Sequence, residues 1–460
     1  MRVIKTEQLN FNLRGFMKKF WVIFMILFVL GLSQTFAQTD AEIRQILLER
    51  IGSDADPKIG ITVALIDENG VRFVHSSSEN KAAAQAVYEI GSVTKVFTTT
   101  LLADMVKRGE VRLDDPVSKY LPANVKVPTF GDKQITLEHL ATQTSGLPRI
   151  PGNFKPADPQ NPYIDYTPEK LYEFLSNYSL TRVPGEKHEY SNLGIGLLGH
   201  ALSLRLKMNL EDAIKGRILA PVGMKNTVMT LTPELRARLA PGFNPLGKPA
   251  ANWDFSVLGA AGALRSTPED VATFIQTNLG LRKSDLAEVF IAAQEPRTQA
   301  SSPETRIGLG WMTSARNSAE ITWHNGGTGG YRSFVGFDRK RKKGVAVLAN
   351  ASLDLDDIGF YLLGAGQLQK TLEVAPEILD KYVGEYQITP TLNLTITREG
   401  KRLFFQPTGQ AKVQVFAESE TEFVIRQVRA KIKFNKNEKG EVSGLTFSQM
   451  GRETPARKIK

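Results

Sequence analysis

With 460 residues, of which 42% are apolar and 23% charged, the chain is longer than one hydrophobic core usually organises and too apolar for extensive disorder. It contains no cysteine, which excludes disulfides, thiolate nucleophiles, cysteine-ligated zinc and a lipoprotein acylation site together. The formal charge of +10 would suit a nucleic-acid partner, but the basic residues are scattered, and the densest cluster, Arg339 to Lys343, reads as a solvated hairpin turn. No nucleic acid is expected, while attraction to an anionic cell envelope or to anionic substrates stays open.

In chain order, Lys18 and Lys19 precede an apolar run from Phe20 to Leu32, and Thr35 and Ala37 then supply small residues for cleavage before Gln38. Residues 1–37 read as a signal peptide, since the apolar run is too short to span a bilayer comfortably. The expected destination is the periplasm or the exterior, and an uncleaved N-terminal membrane anchor is the alternative.

From Ile59 to Val74, alternating apolar runs flank Asp67-Glu68-Asn69-Gly70, which predicts a β-hairpin. Val93, Val96, Phe97, Leu101, Met105 and Val106 recur at helical spacing, so a long buried helix follows Ser92 and stops at Gly109. From about Pro116 to Gln276, helical patterns alternate with Pro- and Gly-rich loops, including Pro148 to Pro168, as in a helical subdomain carrying site loops. Arg332 to Asp338 and Gly344 to Ala349 are β-rich runs joined by the basic turn. Strands at both ends with helices between them predict an α+β body whose first and last strands share one antiparallel sheet.

After about Val374 the texture changes to short alternating strands, from Tyr382 to Ile388 through Gly444 to Gln449, seven in all. They predict a small all-β barrel or sandwich. The expected boundaries are residues 38–365 for the first domain and 374–460 for the second.

Three clusters carry candidate chemistry. In Ser92-Val93-Thr94-Lys95 both functional side chains share one helix face, so Lys95 can reach the Ser92 hydroxyl. A lysine desolvated in a pocket loses its proton more easily and can accept the hydroxyl proton, and the helix N-terminus offers a backbone N–H to a developing oxyanion. Taken singly, Ser-x-x-Lys also describes a capped helix followed by a surface lysine. In Tyr190-Ser191-Asn192, preceded by Pro184-Gly185, the phenol can act as base and then acid if a nearby ammonium lowers its pKa. Asn192 offers an amide to grip a substrate carbonyl and hold Lys95. In His324-Asn325-Gly326-Gly327-Thr328-Gly329-Gly330, entering a strand Tyr331 to Phe337, four glycines let a substrate lie against an edge strand. There the Gly327 N–H would complete an oxyanion hole with Ser92, and His324 would face the substrate's polar end.

Together, in this order and spacing, the three clusters resemble the serine β-lactamase and penicillin-binding protein family, closest to class C β-lactamases, serine D-Ala-D-Ala carboxypeptidases and family esterases. Tyr88 to Lys95 resembles the active-site stretch, Tyr190-Ser191-Asn192 the Tyr-x-Asn loop, and His324-Asn325-Gly326 the Lys-Thr-Gly strand. Further similarity lies in His139 to Pro148 and Gly262 to Asp270, and the resemblance covers roughly residues 40 to 365. The terminal β segment resembles, on Tyr382-Val383-Gly384-Glu385-Tyr386 and the strands after it, the lipocalin-like domain of some S12-type serine peptidases. The departures bear on substrate. Thr94 stands where class C enzymes carry a smaller residue, His324-Asn325 replaces Lys-Thr, and Arg149-Ile150 stand where a glutamine is usual.

The resemblance implies a β-lactamase/transpeptidase-like fold, a sheet flanked by helices beside a helical lobe, and an acyl-enzyme on Ser92. The catalytic residues would be Ser92, Lys95 and Tyr190, with Asn192, His324, Asn325, Gly326 and Gly327 binding substrate. No cofactor and no metal are expected, because His75, His139, His188, His200 and His324 form no spaced ligand pair, and His139 and His200 read as core histidines. The substrate would be a small molecule or short peptide: a β-lactam, a D-amino-acid peptide or an ester. A non-hydrolytic penicillin-binding or scaffold module is the alternative from another class.

Overall fold

The computed structural model describes residues 38–460 apart from 53–54, 77–82, 246, 370–371, 391, 410–411, 426–429 and 450–451, so the expected signal peptide lies outside the described residues. Among the described residues no helix is long and apolar enough to cross a membrane.

The body from Arg44 onward is built on an eight-stranded antiparallel sheet. Its strands are β1 (Ile61–Asp67), β2 (Gly70–His75), β3 (Thr298–Gln299), β4 (Thr305–Ile307), β5 (Met312–Arg316), β6 (Ala319–Gly327), β7 (Arg332–Asp338) and β8 (Lys343–Ala349), in the order β2-β1-β8-β7-β6-β5-β4-β3. The tight turn after Asp67 closes the β1–β2 hairpin, Asp67 pairing with Gly70. β1 then pairs with β8 from Ile61↔Ala349 to Ile66↔Gly344, which joins the two ends of the body in one sheet as expected. The three short strands β3 to β5 were not legible in the sequence, because none has enough residues to establish a period.

Helix α1 (Thr94–Lys107) is buried all round from Thr94 to Met105, polar residues included; Val96, Phe97, Leu101 and Met105 are wholly inaccessible. It lies between the helical lobe and the sheet. Phe97 stacks on Phe274 of α3 (Pro268–Leu279), the ring centroids 4.1 Å apart. Phe274 stacks on Trp311, and Trp311 meets Phe337 of β7 edge-on at 5.3 Å. This aromatic column fixes the depth of α1 against the sheet, each ring contributing about 1.5–3 kcal/mol by burial alone. The polar side chains on α1 are satisfied internally: Thr98 Oγ1 donates to Ala260 O and Thr99 Oγ1 to Leu309 O.

Residues 384–458 form a closed antiparallel barrel of β9 (Gly384–Thr389), β10 (Leu392–Glu399), β11 (Arg402–Pro407), β12 (Val413–Ala417), β13 (Glu422–Ile425), β14 (Ala430–Lys436), β15 (Val442–Gln449) and β16 (Arg452–Lys458). Tyr382, counted above as the start of a strand, belongs instead to a short 3₁₀ turn, Asp380–Tyr382. The strand β16, missed by the sequence reading, closes the barrel through Tyr386↔Lys458 and Gln387↔Arg457. Its residues Arg-Glu-Thr-Pro-Ala-Arg-Lys carry charge and a proline, which argue against a strand, and only Ala456 is buried. The barrel interior is filled by side chains, with Tyr382 stacked on Phe434 at 4.1 Å beside Phe423 and Tyr386.

Candidate active site

The turn that carries Ser92 is locked from two sides. Ile90 N–H donates to Leu264 O, and Ser333 Oγ on β7 donates to Ile90 O at 2.8 Å. Gly91 has φ +50°, and a Cβ there would come within 2.5 Å of Gly327 N, so only glycine allows the approach. Gly326 is equally confined: its Cβ would lie 2.0 Å from Ile90 O and 3.0 Å from Ser92 N. The nucleophile turn and the end of β6 are therefore in backbone contact. Ser92 occupies a 3₁₀ turn leading into α1, and Thr94, larger than the usual residue there, is useful for that reason, since its Oγ1 accepts from Leu264 N–H at 3.0 Å.

Lys95 is buried and wholly inaccessible. Its Nζ lies 3.1 Å from Ser92 Oγ, 2.9 Å from Asn192 Oδ1 and 2.7 Å from Ala261 O. Tyr190 Oη donates to Ser92 Oγ at 2.7 Å. Two side chains nearly a hundred residues apart in the chain thus converge on one hydroxyl, and Asn192 holds the lysine.

The segment from Gln143 to Arg149 positions Tyr190 and Asn192. Gln143, at φ +60°, accepts from Glu189 N–H through its carbonyl and from Ser191 N–H through Oε1 at 2.7 Å. Ser191 Oγ donates to Pro148 O and accepts from Gly194 N–H, capping α2 (Asn192–Leu206). Arg149 O accepts from Asn192 N–H at 3.0 Å. Asn192 is thus the first residue of a helix rather than part of a free loop, which fixes its amide against Lys95.

The third cluster differs from expectation. His324 to Gly327 end β6 instead of entering the next strand, and β6 lies inside the sheet between β7 and β5. β5 reaches only Trp323, its partner there being Met312, so residues 324–327 form a local edge on an interior strand. Strand alternation puts His324 and Gly326 on the Ser92 face and turns Asn325 to the other. Accordingly Asn325 Nδ2 donates to Asp356 Oδ2 at 2.6 Å, and the structure does not bring the Asn325 side chain to Ser92. His324 is buried, its ring centroid 6.5 Å from that of Tyr190. Gly327, partly exposed, leads into the glycine turn before β7.

Burial first, and the charge of Arg149 second, hold Lys95 well below the usual amine range. Burial pushes Tyr190 up to about 12, against the opposing pull of the Ser92 hydrogen bond and Arg149. The expectation that ammonium would lower the phenol is therefore reversed, because desolvation of a phenolate outweighs the nearby charge. His324 is pushed down to about 3 by burial and then by Lys95, against its bond to Asn325. It is neutral, with Nδ1–H donating to Asn325 O at 2.6 Å, so Nε2 presents an acceptor and no positive charge. A neutral Lys95 has two N–H donors for Asn192 and Ala261 and a lone pair toward the Ser92 hydroxyl. The site can therefore take a proton at Lys95 and give one at Tyr190.

Other neighbours lay outside the sequence reading. Tyr163 Oη accepts from Asn192 Nδ2 at 3.3 Å, and its ring stacks on Phe255 and lies 5.4 Å from Trp253. These aromatics come from two irregular loops without a period, and only the fold joins them. Arg149, noted above for replacing another residue type, sits with its guanidinium carbon 4.8 Å from the Tyr190 ring centroid. His139 and His200 are half-buried and bonded, His139 in a capping box with Thr136 and His200 to Tyr172 Oη at 2.6 Å. Among the described residues no group of three or more His, Asp or Glu stands together as metal ligands.

A family model described as Beta-lactamase matches residues 52–361. The chain belongs to the Beta-lactamase family. A second model, a domain of unknown function (DUF3471), matches residues 368–457, the barrel region. The chain is 29% identical over 313 residues to the D-alanyl-D-alanine-carboxypeptidase/endopeptidase AmpH of Escherichia coli (strain K12), covering 64% of this chain and 80% of the relative. It is 28% identical to a Beta-lactamase of the same organism, covering 60% and 79%. Penicillin-binding protein 4* of Bacillus subtilis (strain 168) is 23% identical, covering 84% and 90%. Among solved structures, a Beta-lactamase/D-alanine Carboxypeptidase from Yersinia pestis complexed with citrate shares 29% identity at a TM-score of 0.57, over 68% of this chain and 92% of that one. These family relatives bear the names of hydrolases and of a penicillin-binding protein.

Proposed function

We propose that the chain is an exported serine acyl-hydrolase that opens an amide, lactam or ester through a covalent acyl-enzyme on Ser92. The observation carrying this reading is the placing of Tyr190 Oη at 2.7 Å and Lys95 Nζ at 3.1 Å from one serine hydroxyl. Neutral Lys95 takes the Ser92 proton as Oγ attacks the carbonyl. The N–H groups of Ser92 and Gly327 receive the oxyanion, and Tyr190 protonates the departing amine or alkoxide. The proton on Lys95 then returns to Tyr190; in deacylation neutral Lys95 takes a proton from the attacking water and passes it to Ser92 Oγ as the acyl group leaves, which restores the free serine. This order gives Tyr190 the acid role and assigns the base to Lys95, as their shifted pKa values favour. Asn192 orients the acyl portion and His324 offers an acceptor, while Asn325 contributes backbone only.

Hydrolysis of a β-lactam is the leading substrate reading, with D-Ala-D-Ala carboxypeptidase activity beside it, as the names borne by the relatives suggest; D-aminopeptidase and carboxylesterase activities are the further alternatives of the same fold. We place the hydrolase domain at residues 38–365, the β domain at 374–460, and the mature protein in the periplasm or outside the cell. Purified protein should be challenged with nitrocefin, a short-chain nitrophenyl ester and a D-Ala-D-Ala peptide, with intact mass before and after. Turnover in the parent and no adduct in Ser92→Ala is the expected result. An adduct that forms on Ser92 and never leaves would favour a penicillin-binding module, the reading that a phenol held protonated at deacylation supports.

A further inference from the structure

The site has an unusual charge balance. His324 stands where the resemblance leads one to expect a fixed cation, yet it is buried and its Nδ1–H is spent on Asn325 O. Lys95 is inaccessible and its Nζ is bonded to Ser92, Asn192 and Ala261. Arg332, next to Gly327, commits Nη1 to the carbonyls of Thr328 and Tyr331 and is compensated by Asp354 and Asp356. Arg149 differs from all three. It is exposed, its guanidinium lies over the Tyr190 ring, and among the described residues no carboxylate pairs with it and no acceptor receives its N–H groups.

Its place is fixed even though its head is open. The main-chain carbonyl of Arg149 accepts from the N–H of both Asn192, at 3.0 Å, and Leu193, at 3.3 Å. A guanidinium anchored at its root, stacked on an aromatic face and unpaired at its tip offers a planar fork to one more anion. The residue directly bonded to its main chain is Asn192, the amide proposed to hold the acyl side of the substrate.

We propose that Arg149 is the receptor for a carboxylate on the acyl portion of the substrate, so that the enzyme selects anionic acyl donors. The inference rests on the acyl-enzyme reading above and adds the charge of the substrate to it. Carboxylate selection is thereby moved from the glycine strand to the segment after Pro148.

The test uses the whole chain and two nitrophenyl esters of one five-carbon diacid, one ending in a free carboxylate and the other in its methyl ester. The readout is the ratio of kcat/KM for the anionic over the neutral ester in the parent, Arg149→Gln and Arg149→Lys, with thermal unfolding to show that each variant is folded. The ratio should fall about tenfold in Arg149→Gln, mainly through KM, and recover in part in Arg149→Lys, as expected for one lost charged hydrogen-bonding group. A ratio unchanged within about twofold overturns the proposal even if both rates fall together, since Arg149 would then act only through Lys95 and Tyr190. If neither ester adds an acyl mass to Ser92 in the parent, the hydrolase reading is what has failed, and the inference falls with it.

Discussion

At the scale of residues, the site is organised by desolvation more than by charge. Lys95 has three hydrogen-bond partners that could serve an ammonium, yet its burial favours the amine, and Tyr190 in the same pocket is held in the phenol form. Because the Lys95 pKa is depressed, its active neutral form is lost as pH falls through the folded-state value. We expect kcat/KM to drop on the acid side with a single-proton limb, measurable with a neutral nitrophenyl ester. The limb should persist in His324→Asn, since His324 titrates only near pH 3. The same shift acts on stability: between the folded pKa and the ordinary lysine value, the unfolded chain binds a proton that the native chain does not, so stability rises with pH across that window. Tyr190→Phe keeps the ring under Arg149 and removes the acid. It should cost about 10²–10⁴ in rate on an amide and much less on a nitrophenyl ester, whose leaving group needs no proton.

At the scale of elements, two close approaches decide whether the residues meet. Gly326 has no space for a side chain, the nearest atoms to its Cβ position being Ile90 O, Ser333 Oγ and Ser92 N. Gly326→Ala should push the end of β6 away from the nucleophile turn and lower acylation about a hundredfold, read as the rate of mass gain on Ser92. The depth of α1 is set by the Phe97–Phe274–Trp311–Phe337 column. Phe97→Ala should cost about 3–5 kcal/mol in denaturant unfolding through the cavity it leaves. The helix and its apolar side chains were readable from their period. The approach of Gly327 to Gly91 was not, because a glycine's reason for being glycine lies in what it touches.

At the scale of the whole molecule, among the described residues one hydrophobic core lies around α1 and the sheet and a separate one inside the barrel. Phe97 and Phe434 share no cluster. Each alanine substitution should destabilise on its own account, and the double variant should show the sum within about 0.5 kcal/mol. A coupling energy well above that would mean the two cores unfold as one. The barrel interior is occupied by Tyr382, Tyr386, Phe423 and Phe434, which gives it the character of a packed core.

Local chemistry determined much of this in advance. Hydrophobic period gave α1, alternation gave the β1–β2 hairpin and seven barrel strands, and the resemblance named Ser92, Lys95, Tyr190 and Asn192 before any distance was known. Alternation counted within one strand could also have warned that Asn325 faces away from His324. Tertiary structure alone decided the rest: that Asp356 takes Asn325, that burial pushes the Tyr190 phenol up, that an eighth strand closes the barrel and that Arg149 lies over the phenol. The physical reason is range. Period and turn chemistry are properties of neighbours in sequence, whereas pKa, an unpaired charge and a missing Cβ are set by atoms that arrive from elsewhere in the chain.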